Sequence, residues 1–313
     1  MKILRILLGI SVLLTGFSNK ADAQFYFYDN THYDNPLLIE LGGSVGVMNC
    51  LTDIGGRKGI GKKFVKDLNL GKTQPMGSLY IAATYKYGLT LRAEASFGQL
   101  KADDNILKSV APSTFGRYER NLSFKTNISE FMLGLEIHPL FIFINKNNDD
   151  WTPPLFSPYL LAGVGFFHFN PQAQSNGKWV DLQPLSTEGQ GFKEYPDRTP
   201  YKLSQMNIPV GIGVRYELSS VVNLRAEFIY RILNTDYLDD VSTTYIDPAL
   251  YQNYFSNGKL TNALLLNDRQ YELDPTHVTQ PGDQRGNPSH KDSYFSFNLK
   301  IGYTFGRENI KRN

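Results

Sequence analysis

Residues 294–305 read YFSFNLKIGYTF, and this stretch decides the fold. Its alternate positions form an unbroken apolar row, which consists of Phe295, Phe297, Leu299, Ile301, Tyr303 and Phe305. The positions between them are small or polar, namely Ser296, Asn298, Lys300, Gly302 and Thr304. A period of two is the signature of a β-strand with two different faces. We therefore predict a strand over 294–305.

Two environments fit this alternation. A strand of a soluble β-sandwich turns its apolar row inward. A strand of a transmembrane barrel turns that row outward to lipid, and twelve residues with aromatics at both ends match the length and the aromatic girdles of such a strand. Because an unpaired strand edge has no water to bond in lipid, the last strand of a barrel must pair with the first. We favour the barrel and assign 294–305 as its closing strand.

The chain begins with the features of a signal peptide, which we predict over 1–23. Lys2 and Arg5 precede an apolar stretch, and a small-x-small cleavage site ends at Ala23. Residues 24–313 then form a single outer-membrane β-barrel domain. Cleavage removes three basic residues and one acidic residue from totals of 32 and 30, which leaves 29 of each. A mature chain without net charge argues against a nucleic-acid partner.

The remaining composition fits an exported β-protein. No run of 18 apolar residues follows the signal peptide, so helical membrane spans are not expected. Cys50 is the only cysteine, which excludes an intramolecular disulfide and a cysteine metal cluster. The chain contains 20 Phe and 19 Tyr, and this supply of aromatic residues suits the girdles of a membrane barrel. These features together predict the outer membrane of a double-membraned bacterium.

Seven further segments show strand patterns, and they lie at 37–49, 76–86, 89–98, 122–140, 158–169, 206–217 and 221–232. The segment 158–169 is apolar on both faces, so its facing stays open. The connections alternate between long and short, although 141–156 is longer than expected for a periplasmic turn. Such alternation is typical of an even-stranded barrel with short periplasmic turns and long extracellular loops. The sequence therefore predicts an all-β fold, an eight-stranded antiparallel transmembrane β-barrel.

Charged side chains occupy the rows opposite the apolar ones, namely Glu40, Lys86, Arg92, Glu94, Glu136, Arg215, Glu217, Arg225, Glu227, Arg231 and Lys300. An eight-stranded barrel is just wide enough for side chains to fill it. Buried charges are tolerated when they are paired and hydrogen-bonded. The string Leu-Arg-Ala-Glu occurs at 91–94 and again at 224–227, so each strand carries an Arg and a Glu on its inner face. We predict a paired network that plugs the barrel rather than a catalytic acid–base pair.

Two kinds of chemistry compete with this structural interpretation. Some small outer-membrane barrels modify lipid A with a Ser and a His at the lipid face, and the histidines here are His32, His138, His168, His277 and His290. No sequence pattern places a Ser, a His and a carboxylate together. Asp236, Asp239 and Asp240 offer carboxylate oxygens of the kind that bind Ca²⁺. Their spacing matches no calcium loop, so a capped turn or a solvated loop fits better, and we expect no catalytic, cofactor or metal site.

The loops carry the most recognisable strings of the chain. Thr235-Asp236-Tyr237-Leu238-Asp239-Asp240-Val241-Ser242 follows the strand at 221–232. Further strings are RNLSF at 120–124, PYL at 158–160 followed by Gly163, Gly165 and FNP at 169–171, and LSTEGQG at 185–191. Together they resemble the Bacteroidota outer-membrane barrel family that includes PorG of the type IX secretion system. The resemblance covers essentially the whole mature chain.

This resemblance implies a barrel that ties the periplasmic PorK–PorN ring of the secretion machine to the outer membrane. No binding residue is carried over, because the matching loop strings have no assigned chemistry. We predict a non-enzymatic structural or assembly component, with outer-membrane lipid and periplasmic secretion-ring proteins as partners. Two other roles stay open. One is a lipid-modifying enzyme of the outer leaflet, and the other is a surface-binding protein that acts through the loop at 233–292.

Overall fold

The computed structural model describes residues 32–55, 70–113, 116–143, 155–219 and 221–309. The predicted signal peptide lies outside these residues, as do Pro153 and Pro154 of the medium-length connection. Within the described ranges, no helix is both long enough and apolar enough to cross a membrane.

Ten strands are present in the described residues, and eight of them form the barrel. The barrel strands are β1 (His32–Leu51), β2 (Gln74–Tyr85), β3 (Leu89–Asp103), β4 (Ser123–Ile137), β5 (Phe156–His168), β8 (Ser204–Glu217), β9 (Val222–Leu233) and β10 (Ser293–Asn309). Each pairs antiparallel with the next one in this order, and β10 pairs with β1, so the sheet is closed. The eight-stranded antiparallel barrel is thus confirmed, with β10 as its closing strand.

The closing pair also shows which face is which. Leu299 and Ile301 are 57% and 58% exposed, whereas Asn298 and Lys300 between them are 0% and 2% exposed. The same outward apolar row appears on the other strands, for example at Val45, Leu79, Leu91, Leu133, Val164, Ile212 and Leu224. A contiguous apolar band around the barrel wall is the surface that lipid covers in a transmembrane barrel.

The facing of β5, which the sequence left open, is settled by its neighbours. Leu160, Val164 and Phe166 point outward, while Tyr159 and Phe167 are buried inside the barrel. The buried positions lie opposite the inner rows of β4 and β8, so they share the lumen with those side chains. Although β5 is apolar on both faces, its side chains still alternate between the outer wall and the lumen.

Strand boundaries differ from prediction where local backbone chemistry intervenes. β4 ends at Ile137, and the predicted strand to 140 is wrong because Pro139 opens a short helix, α1 (Pro139–Phe143). Proline lacks the backbone donor that a strand needs and is tolerated at the start of a helix. β3 runs to Asp103 rather than 98, because its pairing with β4 continues beyond the apolar band.

The long loops contain structure that no periodicity predicted. A hairpin of β6 (Gln172–Ser175) and β7 (Lys178–Asp181) turns at Asn176-Gly177, and both residues have positive φ. Asn-Gly is the strongest short hairpin signal, so this element was readable in the sequence. The loop between β9 and β10 contains α2 (Tyr251–Tyr254) and α3 (Asn257–Asn267). With the other long loops, these elements form a cap around an apolar core that includes Leu100, Phe124, Phe169, Leu185 and Leu238.

Candidate functional site

The centre of the barrel holds a buried network of opposite charges. Arg92 lies 2.6 Å from Glu136, 2.7 Å from Glu227 and 3.1 Å from Glu94, and all four side chains are buried. Lys300 lies 2.5 Å from Glu94 and 3.1 Å from Glu227. These ion pairs join strands β3, β4, β9 and β10 across the lumen.

Arg225 extends this network to β1. Its guanidinium donates two hydrogen bonds to Glu40, at 2.9 and 3.0 Å, and one to Glu136 at 2.8 Å. Glu40 also accepts a hydrogen bond of 2.5 Å from Tyr80. Charge-assisted, fork-shaped contacts of this kind are the strong class of hydrogen bond. Arg225 thus bonds to carboxylates on two other strands, and its Leu-Arg-Ala-Glu neighbour Glu227 pairs with Arg92 and Lys300 instead.

Two further pairs lie away from this centre. Arg231 contacts Glu130 at 3.0 Å on the side of the long loops, and Arg215 contacts Glu217 at 2.7 Å on the side of the short turns. Glu130 was missing from the predicted set of inner charges, although its place in the inner row of β4 was visible. The prediction that Lys86 belongs to the inner charges is wrong. It lies in the turn between β2 and β3 with φ of 47° and is exposed.

Neutral polar groups complete the filling of the lumen. Tyr159 donates a hydrogen bond of 2.8 Å to Glu227, and Asn223 donates one of 2.8 Å to Glu40. Ser78 donates a bond of 2.5 Å to Glu94. A carboxylate in a low-dielectric interior needs several such donors to offset its lost hydration. The neutral donors therefore come from β2, β5 and β9, and their hydrogen bonds to the glutamates hold the opposite walls of the barrel together.

Aromatic side chains close the short-turn end of the lumen. The rings of Tyr87 and Phe141 stack at 5.3 Å, and the guanidinium of Arg215 lies 6.0 Å from each ring centroid. Phe141 comes from α1 and is 2% exposed, so the helix that ends β4 covers the mouth. His138 packs beside it, with its ring centroid 6.4 Å from that of Phe141.

The resemblance motif at 235–242 lies in the cap, at the long-loop end. Asp240 accepts hydrogen bonds from Thr187 at 2.5 Å and Tyr201 at 2.6 Å. Asp239 accepts backbone bonds from residues 54 and 241, at 2.9 and 3.0 Å. Asp236 accepts a bond of 2.7 Å from Ser242. Because each carboxylate binds a different partner, the motif ties several loops together rather than forming one chelating site.

The rest of the motif has the same role. Thr235 accepts a bond of 3.1 Å from the backbone of Tyr237, whose hydroxyl donates to Glu188 at 3.2 Å. Glu188 also pairs with Arg285 at 3.0 Å. In the resemblance string at 120–124, Arg120 donates to both oxygens of Asp104 at 2.9 Å. Sequence reasoning assigned no partner to Glu188, Arg285 or Asp104, because loop residues lack the periodicity that reveals inner faces.

Burial dominates the ionisation of the aspartates in the cap. It raises the pKa of Asp236 to about 7 and that of Asp240 to about 6, although the nearby Arg285 acts to lower the latter. The pKa values of Asp239 and Asp292 are also raised, first by burial and then by neighbouring carboxylates. In the described part of the chain, no group of three or more His, Cys, Asp or Glu side chains is arranged to hold a metal ion.

Two serine–histidine pairs occur that the sequence did not reveal. Inside the barrel, His138 lies 3.0 Å from Ser157 and 3.4 Å from Glu136, so a Ser, a His and a carboxylate do come together. Ser157 is 1% exposed and His138 0%, so this trio has no access to a substrate. On the outer wall, exposed His168 lies 2.9 Å from Ser204. The structure shows no carboxylate contact to His168 among the residues it describes.

Comparisons with known proteins show no family for this chain. No protein-family model matches this chain, and no curated protein matches it. Solved structures with a similar fold include Ail of Yersinia pestis (10% identity, 88% of this chain and 99% of that chain, TM-score 0.35). Neisserial surface protein A is 8% identical, with 87% of this chain and 99% of that chain covered and a TM-score of 0.35. OprG of Pseudomonas aeruginosa is 10% identical, with 87% of this chain and 97% of that chain covered and a TM-score of 0.35.

These likenesses are too weak in sequence and in superposition to carry an argument about function. The closed strand order, the outward apolar band and the filled lumen are properties of this chain itself. On those properties, the protein is an eight-stranded antiparallel transmembrane β-barrel.

Proposed function

We propose that this protein is a non-enzymatic structural component of the outer membrane, a barrel that anchors a protein assembly rather than a pore. The observation that carries this proposal is the lumen, where Arg92, Arg225 and Lys300 are neutralised by four buried glutamates. A barrel filled across its middle leaves no path for a solute. Its wall, its turns and its cap are then the parts available to bind partners.

For the partner, we propose the periplasmic ring of a type IX secretion machine. This step is supported by the resemblance to the PorG-like family and by the loop strings that carry it. The motif at 235–242 stabilises the cap from within, so we do not assign it to the ring. The ring is then expected to meet the opposite end, where Leu218 is 52% exposed in the short turn between β8 and β9.

Site-specific crosslinking from the two ends tests this proposal. The native Cys50 is buried, so it gives little background labelling. New cysteines at Leu218 and at the exposed Asn257 of the cap would each carry a photo-crosslinker in native membranes. We expect ring proteins to crosslink from L218C and not from N257C.

The same pair of variants separates the alternatives. Extracellular or surface partners captured from N257C alone would support a surface-binding barrel and contradict ring anchoring. An impermeant thiol reagent that labels L218C, but not N257C, in intact cells would show that the assumed orientation is inverted.

The outer-leaflet enzyme is tested through Ser204, since His168 contacts its hydroxyl on the lipid-facing wall. We expect Ser204→Ala to leave the mass profile of lipid A unchanged, because His168 has no described carboxylate to orient it and stabilise its charge. The buried Ser157→Ala variant serves as the matched control. A lipid profile that changes in S204A but not in S157A would overturn the non-enzymatic proposal.

A further inference from the structure

Two lysines face each other on the outer wall of the barrel, above the apolar band. Lys101 of β3 is the direct cross-strand partner of Lys125 of β4. Their chain neighbours Leu100 and Phe124 are buried inside, so the alternation of the strands turns both lysines outward. Directly opposed side chains in a sheet lie close, about 4.5–5.5 Å between Cβ atoms, and like charges in such a pair destabilise it.

No acidic residue of the described chain neutralises this pair. The structure shows no carboxylate within 4 Å of either ammonium group among the residues it describes. Asp103, two positions beyond Lys101, is already paired with Lys72 at 3.2 Å. Asp181 accepts a bond of 2.6 Å from Gln172. The pair therefore presents two positive charges that attract an external anion.

Their height on the barrel identifies which anion can reach them. Phe97 lies four residues before Lys101 on the same face, and it is 57% exposed. On β4, Phe131 is also exposed and lies opposite Ala95, two residues deeper in the wall than Phe97. Four residues of strand span about 13 Å, or roughly 10 Å along the membrane normal at the usual tilt. The headgroup layer is about 5–7 Å thick on each side of the hydrocarbon, so the backbone of the two lysines lies just beyond it. Flexible lysine stems adjust the ammonium groups to that level.

An aromatic side chain completes this surface. The ring of Trp179, from the β6–β7 hairpin, lies 3.8 Å from the ammonium of Lys125, and it is 44% exposed. The hairpin is positioned there because Gln172 pairs with Lys125. Tryptophan is enriched at the membrane–water interface, where its ring meets the headgroups. The surface thus combines an apolar wall below, two ammonium groups above it and an interfacial ring beside them. This combination matches an amphipathic molecule with an anionic head.

We propose that Lys101 and Lys125 bind the phosphate of an acidic lipid headgroup, in the leaflet at the long-loop end, with its acyl chains lying on Phe97 and Phe131. The phosphate bridges the two ammonium groups and removes their repulsion. Phosphate charge near a lysine is a strong charge-assisted interaction. This site is separate from the proposed ring-binding role and can be present or absent independently of it.

The test uses the purified full chain in detergent and native mass spectrometry to measure retained lipid. The probes are bisphosphorylated lipid A and the same lipid with both phosphates removed. The wild-type barrel is expected to retain the phosphorylated form at least tenfold more strongly. K101Q/K125Q, which keeps polar side chains but removes both charges, should reduce that preference at least fivefold. K101R/K125R should preserve it, because the charge remains.

The matched control is K193Q/K259Q, which removes two exposed lysines from the cap and should leave the preference unchanged. Heat-modified gel mobility verifies that every variant is folded. Equal retention of both lipids by the wild type, or full preference in K101Q/K125Q, would overturn the proposal. So would complete displacement of the lipid by millimolar inorganic phosphate, since the site would then select a free anion. Loss of preference in K101R/K125R would likewise contradict a site built on charge.

Discussion

At the scale of the residue, Arg225 shows how buried charges hold this barrel together. It is the ion-pair partner of Glu40, whereas Glu136 has a second cation in Arg92. Removing Arg225 therefore leaves Glu40 as the less compensated of the two carboxylates. The cost of such a buried, unpaired charge is about 3–5 kcal/mol, whereas removing both partners costs far less.

We therefore expect Arg225→Met to lower the urea midpoint of unfolding markedly, and R225M/E40Q to recover most of the loss. Folding is measured by heat-modified gel mobility in lipid vesicles. R225M/E227Q is the control, because Glu227 pairs with Arg92 and Lys300 and not with the missing guanidinium. Equal rescue by E40Q and E227Q would show that only net charge matters, and that the contacts of Arg225 do not.

A second prediction at this scale concerns the outer wall. Leu299 lies near the middle of β10 and faces lipid, so Leu299→Arg should destabilise the barrel by about 2–4 kcal/mol. The control Gln99→Arg lies on the outer face of β3 beyond the apolar band, where the cost is about 0–1 kcal/mol. Unfolding free energies in vesicles measure both. Similar costs at the two depths would argue against the lipid-facing assignment.

At the scale of the element, the cap couples its stability to pH through Asp236. Its folded pKa is about 7, above the ordinary value of about 3.9 for an aspartate in an unfolded chain. The protonated form is thus the one the folded cap prefers. This contribution to stability is complete below pH 4 and is lost as the pH rises through about 7.

Limited proteolysis of the loop at 234–292 should therefore become faster between pH 5 and 8. Asp236→Asn should weaken that pH response, because an amide carries no charge at any of these values. Ser242→Ala should move the transition to higher pH, since the Ser242 hydroxyl donates to Asp236 and favours its charged form. If D236N left the pH response intact, other groups would cause that response, and Asp240, Asp239 and Asp292 are the nearest candidates.

At the scale of the whole molecule, the filled lumen predicts an electrically silent barrel. Glu94, Glu136 and Glu227 cross the lumen to cations on other strands, and Phe141 covers the short-turn mouth. Reconstituted into planar bilayers, the wild-type protein should give no steady conductance to small ions, where a 16-stranded porin under the same conditions does. Stable open-channel steps from folded, heat-modifiable protein would contradict the structural role proposed for the barrel.

The sequence by itself determined the features that repeat along each strand. The alternation at 294–305 predicted the closing strand, and the same pattern predicted the strand number and the outward apolar rows. It could do so because a strand has a strict period of two, and lipid demands an apolar side chain at every outward position. It even indicated the paired network, since an inward row of charges inside a narrow barrel has only other charges to meet.

Only the tertiary structure decided which groups meet. Arg225 binds Glu40 on β1 rather than Glu227 two residues away, because partners across a lumen depend on strand order and register, which no local pattern encodes. Likewise, the pairing of Glu188 with Arg285 joins loops 97 residues apart. Irregular backbone has no period to mark its buried side, so the sequence assigned Asp240 to a capped turn or a solvated loop, whereas packing buries it inside the cap. In a periodic segment, the sequence pattern itself predicts which side chains are buried. In an irregular segment, burial depends on contacts with distant parts of the chain, which only the tertiary structure shows.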